Sequence, residues 1–150
     1  MPTRRLTIVG DGPERGRLEK MLSANVTLAG RLDDAQCAAM VGDARAFVFA
    51  ALDDFGIAPL EAQAAGTPVI AYREGAIDET IADLDHETPT GVLYDHQTPD
   101  AIVEAVLRFE REGARIEASA CRANAARFAP EHFRAAFAAR VAVTLAELEP

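Results

Sequence analysis

The sequence predicts an α/β fold in which an open parallel β-sheet is covered by helices on both faces and followed by a helical C-terminal tail. Three observations predict it. Short apolar runs rich in β-branched residues alternate with helix-forming stretches, as in repeated strand-helix units. Turn-forming glycines and prolines separate the two kinds of segment. The 150 residues, 49% of them apolar, are enough for a single domain with a buried core.

The predicted elements follow one another in a regular order. The strands comprise residues 6–9, 26–29, 46–49, 68–71 and 91–93. The helices comprise residues 14–22, 33–41, 59–65, 77–81, 98–112, 115–127 and 130–149. Asp33 with Gln36 three residues later resembles a capping box, and Thr98 before Pro99 is typical of an N-cap followed by proline. These signals define the starts of the second and fifth helices.

The last predicted helix carries an apolar stripe. Its larger apolar residues recur at three- and four-residue steps: Phe133, Phe137, Val141, Leu145 and Leu148. Such a stripe is typical of a helix that packs against another surface. We therefore expect this helix to pack on the surface of the domain.

Composition and charge argue against several classes of function. A formal net charge of −9 disfavours a nucleic-acid-binding surface, which needs clustered lysine and arginine. No apolar run approaches the ~20 residues of a membrane span, and the N-terminus does not resemble a signal peptide. Neither Cys37 and Cys121 nor His86, His96 and His132 have the spacing of a metal site or a disulfide framework. The sequence therefore predicts a cytoplasmic protein with free thiols and no metal.

A glycine-rich turn follows the first predicted strand. Gly10, Gly12 and Gly16 superficially match the dinucleotide fingerprint, in which glycines let the backbone approach a pyrophosphate. However, Pro13 removes an amide donor, and neighbouring acids already complement the helix dipole. We therefore expect these glycines to shape a tight turn, and a dinucleotide-binding oxidoreductase domain stays an alternative.

Two carboxylates lie eight positions apart after the third predicted strand. Asp53 belongs to the loop and Glu61 to the beginning of the next helix. Ligands of open α/β sheets bind at this carboxyl end of the strands. Residues 55–58 lead into a helix with Pro59 at or near its first position, so we expect the amides just upstream of that proline to be free to donate to an anion. A diphosphate would suit them.

Each of these acids has two interpretations. Carboxylates accept hydrogen bonds from hydroxyl groups, so Glu61 suits a ribose or sugar and Asp53 suits a second hydroxyl-bearing ring. An acid in a first helical turn also complements the helix dipole, and an exposed loop acid is usually only solvated. The residues alone leave both interpretations open.

The segment around these acids resembles a known family. Residues 53–62 read DDFGIAPLEA and residues 66–71 read GTPVIA, which is similar to the Glu-x7-Glu signature of the GT-B-fold retaining glycosyltransferases of family 4. Four other segments are similar to their counterparts in the donor-binding domain of that family: LTIVGDGPERGRLE, NVTLAGRLDD, REGAIDETI and TGVLYDHQTPDAIVEAVLRFE. The resemblance covers nearly the whole chain.

The resemblance implies a Rossmann-like domain, one half of a GT-B fold, that binds a nucleotide sugar without a metal or cofactor. It implies that Glu61 binds the ribose hydroxyls and that Asp53 is the catalytic residue facing the donor sugar. The other donor-binding residues that it implies are Phe55, Gly56, Ile57, Gly75, Arg31 and Leu32, the last two beside the base. Asp54 resembles a subset that includes GDP-mannose-dependent mannosyltransferases, so the expected donor is a GDP- or UDP-sugar.

The chain departs from the family pattern at three places. Asp53 is one methylene shorter than the usual glutamate, and Ala76 stands where the family often has a second glycine. The first strand and helix of the family's domain, with an arginine and a lysine for the diphosphate, would precede Thr7. We therefore expect the donor-binding part of a hexosyltransferase that acts on a glycan or lipid-linked saccharide and is inactive without its acceptor-binding domain. The complete enzyme is expected in the cytoplasm, with peripheral membrane association left open. A non-catalytic nucleotide-sugar-binding or partner-binding module is the alternative.

Overall fold

The strands and helices of the chain fall into two compact units, Met1–Met40 and Val41–Pro150. Residues 1–148 are described in this computed structural model, with side chains up to residue 147. The predicted end of the last helix at Glu149 lies outside the described residues. Every strand predicted from the sequence is present, with ends that shift by at most one residue.

The first unit contains two parallel strands. β1 (Leu6–Val9) pairs with β2 (Val26–Gly30). α1 (Arg15–Glu19) lies between them in the sequence and is shorter than predicted, and α2 (Asp34–Gly42) begins after β2. Apolar residues of β1 stay accessible, with Leu6 44% exposed. This unit therefore buries little of its apolar surface.

Local hydrogen bonds define the turns of the first unit. The amide of Gln36 donates to Asp33 Oδ1 at 2.8 Å, and the amide of Asp33 donates to Gln36 Oε1 at 3.1 Å, so the predicted capping box is confirmed. In the glycine turn, Gly10 has a φ of 118°, which favours glycine. The amide of Gly12 donates to Asp11 Oδ1 at 2.9 Å. The turn thus engages its own amides, as expected for a structural role.

The second unit contains a three-stranded parallel sheet in the order β3-β4-β5. Its elements in chain order are β3 (Phe47–Phe49), α3 (Ile57–Ala65), β4 (Val69–Tyr72), α4 (Ile77–Thr80), β5 (Gly91–Tyr94), α5 (Pro99–Glu112), a 3-10 turn (Gly113–Arg115), α6 (Ala118–Ala126) and α7 (Pro130–Leu148). In the sheet, Phe47 lies opposite Val69, which lies opposite Gly91. α5 begins as predicted, because Thr98 Oγ1 accepts a hydrogen bond from the Ala101 amide at 3.2 Å.

The α/β class with parallel strands is confirmed, but the five strands form two sheets where the sequence predicts one. β1 pairs with β2 in the first sheet, and β4 lies between β3 and β5 in the second.

The core of the second unit covers both faces of its sheet. The cluster on the side of α5 and α6 comprises Ile70, Leu84, Val92, Tyr94, Ala105, Ile116 and Cys121. The cluster on the side of α3 and α4 comprises Ala62, Val69, Ala71, Ile77, Ile81 and Leu93. Successive residues of β4 and β5 alternate between the clusters, as the two-residue period of a strand requires. Helices on both faces are thereby confirmed for this unit.

α7 forms as predicted, but its apolar stripe is not buried. Every residue from Pro130 to Glu147 is exposed, including Phe133 at 69% and Phe137 at 60%. The rings of these two phenylalanines stack on each other, with centroids 5.8 Å apart. The expected packing on the domain surface is therefore absent within the described part of the chain. Among the described residues, no helix combines the length and apolar character needed to cross a bilayer.

Candidate functional site

The candidate site lies on the loop and helix that follow β3. The β3-α3 loop, residues 50–56, leaves the carboxyl end of β3, and α3 begins at Ile57. This start is two residues earlier than predicted, so Pro59 is the third residue of the helix. Proline is tolerated there because the amides of a first helical turn have no partner within the helix. Gly56 precedes the helix with a φ of 78°, a conformation that favours glycine.

The side chain of Asp53 holds this loop in shape. Its Oδ1 accepts hydrogen bonds from the amide of Gly56 at 2.6 Å and the amide of Phe55 at 2.9 Å. These two bonds, that of Gly56 most, hold the pKa of the Asp53 carboxyl below its usual value. Two of the amides that the sequence predicts to be free for an anion, those of Phe55 and Gly56, are therefore occupied by the carboxylate of Asp53. Its Oδ2 accepts no hydrogen bond from the described residues.

The free amides lie one step further along the chain. α3 is nine residues long, and the amides of Ile57 and Ala58 in its first turn have no acceptor four residues back within the helix. The positive end of the helix dipole adds to their attraction for an anion. Of the amides of residues 55–58 that the sequence predicts to be free, an anion at the start of α3 would therefore meet those of Ile57 and Ala58.

Glu61 is the fifth residue of α3 and is exposed, whereas Leu60 and Ala62 beside it are buried. Its carboxylate has no hydrogen bond or ion pair with another described residue. Because Glu61 lies beyond the first turn, complementing the helix dipole explains it poorly. Glu61 lies four residues after Ile57 and thus on the same helical face, and side chains of helices lean towards the N-terminus. A side chain at this position can therefore reach towards the end of α3 that carries the free amides.

A second turn supports the β3-α3 loop from the end of β4. Gly75 has a φ of 65°, and a Cβ atom there would lie 2.7 Å from the carbonyl oxygen of Asp53. A Cβ atom on Gly56 would likewise lie 3.0 Å from Ile77 Cδ1. The turn after β4 thus contacts the loop after β3 at the carboxyl ends of two neighbouring strands. The structure thus places Gly75 against the backbone of Asp53, and the donor-binding roles of these residues stay predictions.

A buried carboxylate that the sequence did not predict lies near this turn. Asp83 is only 5% exposed. Its Oδ1 accepts hydrogen bonds from the amides of Leu84 at 2.8 Å and Leu93 at 3.1 Å, and Arg73 Nη2 lies 2.7 Å from its Oδ2. Arg108 Nη1 lies 3.2 Å from both oxygens. The partners are ten or more positions away from Asp83, except for Leu84, so no local spacing could have indicated this cluster.

Arg31 and Leu32 lie apart from the other predicted residues in the chain. They follow β2 in the first unit, whereas the remaining predicted donor-binding residues belong to the second. Arg31 is exposed and Leu32 is partly buried. Their contact with the base of a nucleotide stays a prediction.

The candidate site is an open surface in the described chain. Asp53, Asp54, Phe55, Ile57 and Ala58 are all exposed. Two grooves of the second unit, of about 500 and 490 Å³, lie along α5 and beside α4 and α6, and no predicted donor-binding residue lines them. The described residues of the candidate site therefore form an exposed surface that a ligand could contact from one side.

Other reactive groups form no competing site. Cys37 and Cys121 are both free thiols, as predicted, and burial raises the pKa of Cys121 to about 11. His86, His96 and His132 are exposed. Within the described residues, no three potential ligands lie close enough together to hold a metal ion.

Comparison with known proteins gives a consistent picture. The model of the family described as "Glycosyl transferases group 1" matches residues 1–128. A sulfoquinovosyl transferase of Arabidopsis thaliana is 31% identical over 96 residues, 63% of this chain and 19% of the relative. A D-inositol 3-phosphate glycosyltransferase of Corynebacterium urealyticum is 36% identical over 80 residues, 53% of this chain and 16% of the relative. The chain thus spans at most about a fifth of these curated relatives.

Solved structures show the same fold. A sucrose-phosphate synthase from Thermosynechococcus elongatus superposes with a TM-score of 0.68 and 28% identity over 90% of this chain and 39% of that chain. The Anabaena protein HepE in complex with UDP-glucose gives a TM-score of 0.67 and 20% identity over 98% of this chain and 42% of that chain. At this low identity the second likeness shows the α/β architecture alone.

Proposed function

The chain belongs to the group 1 glycosyl transferase family, and on that premise we propose that it is the donor-binding part of a retaining hexosyltransferase. The donor is a nucleoside diphosphate sugar, and the sugar passes to a glycan or lipid-linked saccharide. One observation carries this proposal: the first turn of α3 offers two unpaired amides, and the unpartnered carboxylate of Glu61 lies one turn further on the same face.

The diphosphate and the ribose are assigned to α3. The amides of Ile57 and Ala58 donate to a phosphate oxygen, helped by the helix dipole. Glu61 accepts hydrogen bonds from the two ribose hydroxyls, a role that suits an ionised carboxylate without a competing partner. Residues 46–72 contain no lysine or arginine, so amides alone meet the diphosphate from this segment. Because charge-assisted contacts are about twice as strong as neutral ones, we expect weak donor binding and no turnover by this chain alone.

Asp53 is assigned to the donor sugar. Its Oδ1 accepts hydrogen bonds from two loop amides, which fixes the orientation of the carboxylate. Its Oδ2 is then available to accept a hydrogen bond from a sugar hydroxyl, or to stabilise the positive charge that develops at the transferred carbon. The loop has no side chain placed to act as a proton-transferring base other than its carboxylates. Catalysis from this half therefore consists of positioning the donor and stabilising the departing diphosphate, without a metal.

The identity of the donor has two candidates with separate support. The adjacent Asp53 and Asp54 favour GDP-mannose, through the resemblance to mannosyltransferases. HepE, solved with UDP and with UDP-glucose, favours a UDP-sugar. The predicted base contacts are Arg31 and Leu32, so the side chains of these two residues are where a difference between guanine and uracil would be detected.

The acceptor side of the reaction is assigned to a further domain. The matched part makes up 39% and 42% of two solved relatives, so most of each lies outside the region that this chain resembles. The exposed apolar residues of α7 support contact with a further domain, because burying an apolar helix face away from water is stabilising.

Titration calorimetry with GDP, UDP, ADP, GDP-mannose and UDP-glucose tests the proposal on the full chain. The preferred nucleotide should bind Glu61→Ala at least about tenfold more weakly than the unchanged chain, because a charge-assisted hydrogen-bonding partner is lost. Glu104→Ala is the matched control, since Glu104 is an exposed helical glutamate on α5. An unchanged dissociation constant for Glu61→Ala would refute the ribose assignment. Binding of NADH without any GDP or UDP binding would favour the oxidoreductase alternative.

A further inference from the structure

The guanidinium of Arg73 connects three segments at the carboxyl end of the second sheet. Arg73 is the first residue after β4, and its amide donates to the carbonyl of Tyr94 at the end of β5. Its Nη1 lies 2.7 Å from Asp78 Oδ1, its Nη2 2.7 Å from Asp83 Oδ2, and its Nε 3.0 Å from Asp95 Oδ1. All three guanidinium nitrogens are thus engaged, which fixes the orientation of this planar group.

The three carboxylates differ in how firmly they are held. The side chains of Asp78 and Asp95 are 61% and 70% exposed, so their pairs with Arg73 are surface pairs of small individual value. The side chain of Asp83 is 6% exposed, and its carboxylate is fixed by two backbone amides and by Arg108 as well. Asp83 is therefore the anchor, and Arg73 is the group that it anchors.

Arg73 lies two positions before Gly75 in the turn after β4. Gly75 lies so close to the carbonyl oxygen of Asp53 that a Cβ atom would be 2.7 Å from it. Asp53 in turn holds the amides of Phe55 and Gly56. A continuous series of contacts therefore runs from the buried carboxylate of Asp83 through the turn after β4 to the loop that precedes α3.

A purely stabilising role would not account for the choice of residues. Replacing a buried ion pair by apolar residues of similar volume is often neutral or stabilising. Arg73 follows β4 and Asp95 follows β5, so this pair lies at the carboxyl edge of the sheet, where ligands of parallel sheets bind. Arg73 joins this edge to Asp78 of α4 and to Asp83 before β5.

We propose that Arg73 and Asp83 are positioning residues of the donor site, which hold the Gly75 turn against the backbone of Asp53 and thereby set the position of the β3-α3 loop. Neither residue needs to contact the ligand. The proposal rests on the proposed function for its binding readout, and it also makes a prediction about the free protein.

Arg73→Gln and Arg108→Gln form a matched pair of variants. Each removes one guanidinium from Asp83, but only Arg73 belongs to the segment that carries Gly75. Arg73→Gln should raise the dissociation constant of the preferred nucleotide about tenfold, because a displaced loop misplaces the α3 amides. Arg108→Gln should change it by less than about twofold, even though both variants lower the melting temperature. Arg73→Lys keeps the positive charge but lacks the planar guanidinium group, so its affinity should lie between that of Arg73→Gln and that of the unchanged chain.

Amide resonances of Phe55 and Gly56 provide the second readout, measured by NMR without ligand. Both should shift in Arg73→Gln and stay in place in Arg108→Gln. Equal effects of the two variants on affinity and on these resonances would overturn the positioning role and leave a general structural one. If the unchanged chain binds no nucleotide, the proposed function fails, and the NMR comparison alone decides whether Arg73 positions the loop.

Discussion

Two aspartates of the second unit use a carboxylate in the same way in two different environments. Asp53, in the β3-α3 loop, accepts hydrogen bonds from two backbone amides at Oδ1 and is exposed. Asp83, before β5, also accepts hydrogen bonds from two backbone amides at Oδ1, but it is buried and forms ion pairs with Arg73 and Arg108. The hydrogen-bond pattern is shared, and burial and charge partners differ.

The pKa values of both carboxyls lie below the usual value, for different reasons. For Asp53, the bonds from the Gly56 and Phe55 amides lower the pKa and little burial opposes them. For Asp83, burial acts most strongly and raises the pKa, but the backbone amides and the guanidinium of Arg108 together outweigh it. A similar direction of shift thus arises from a local turn in one case and from a tertiary cluster in the other.

The difference indicates how strongly each carboxylate contributes to folding. Removing a buried carboxylate leaves two guanidinium groups and two amides without their partner, so Asp83 should have a large effect on the free energy of unfolding in addition to its role in holding Arg73. Removing an exposed carboxylate lets water replace it, so Asp53 should matter mainly to the shape of a ligand-binding loop. Substitutions at three positions, Asp83, Gly75 and Asp53, test this difference.

Asp83→Ala should have the largest effect on folding. We expect it to lower the free energy of unfolding by about 3 kcal/mol, the magnitude for removing one partner of a buried ion pair. The measurement is urea denaturation followed by circular dichroism at pH 7, since the chain has no tryptophan. A loss below about 1 kcal/mol would show that the Asp83 cluster is no more important than a surface pair.

The pH dependence of this effect is a control. The folded-state pKa of Asp83 is lower than its unfolded value, near 3.8, so its contribution is complete above that pH and is lost as the pH falls through the folded-state pKa. The difference between the unchanged chain and Asp83→Ala should therefore shrink below pH 3.8. A difference that grows with acidity would contradict the assignment.

Gly75→Ala should have the next largest effect and should couple the two regions. The added methyl group would stand 2.7 Å from the Asp53 carbonyl in a left-handed conformation, so we expect a loss of about 2 kcal/mol. Nucleotide affinity should fall as well, because the β3-α3 loop must move. Gly12→Ala is the control, since no atom lies within 4 Å of its Cβ position. Equal melting temperatures for the two variants would argue against a tight contact at Gly75.

Asp53→Asn and Asp53→Ala should have the smallest effect on folding and should separate the two roles of this side chain. Asparagine keeps an oxygen that can accept hydrogen bonds from the Phe55 and Gly56 amides, whereas alanine has no such oxygen. Donor affinity should therefore change by less than about threefold in Asp53→Asn and fall about tenfold in Asp53→Ala. In the complete enzyme, turnover should fall in both variants. Equal loss of affinity in the two would make the charge itself a ground-state binding group.

Much of the candidate site could be read from the sequence, and its errors are informative. The position of Glu61 on a helix after the third strand was predicted, because strand and helix periods are local properties of the chain. The sequence predicts the start of α3 two residues late, because Pro59 is tolerated throughout the first helical turn and not only at its first position. The amides of Phe55 and Gly56 were expected to be free, because an aspartate that satisfies its own loop looks the same in sequence as one that serves a ligand.

The sequence by itself determined the order of strands and helices, the caps at Asp33 and Thr98, and the segment that carries the family resemblance. All of these depend on residues within a few positions of one another, where hydrogen bonds and side-chain periods are set by local geometry. Only the tertiary structure decided that the strands form two sheets, that α7 stays exposed, and that Asp83 meets Arg73 and Arg108. These outcomes depend on which distant segments come together and exclude water, and no spacing along the chain encodes that.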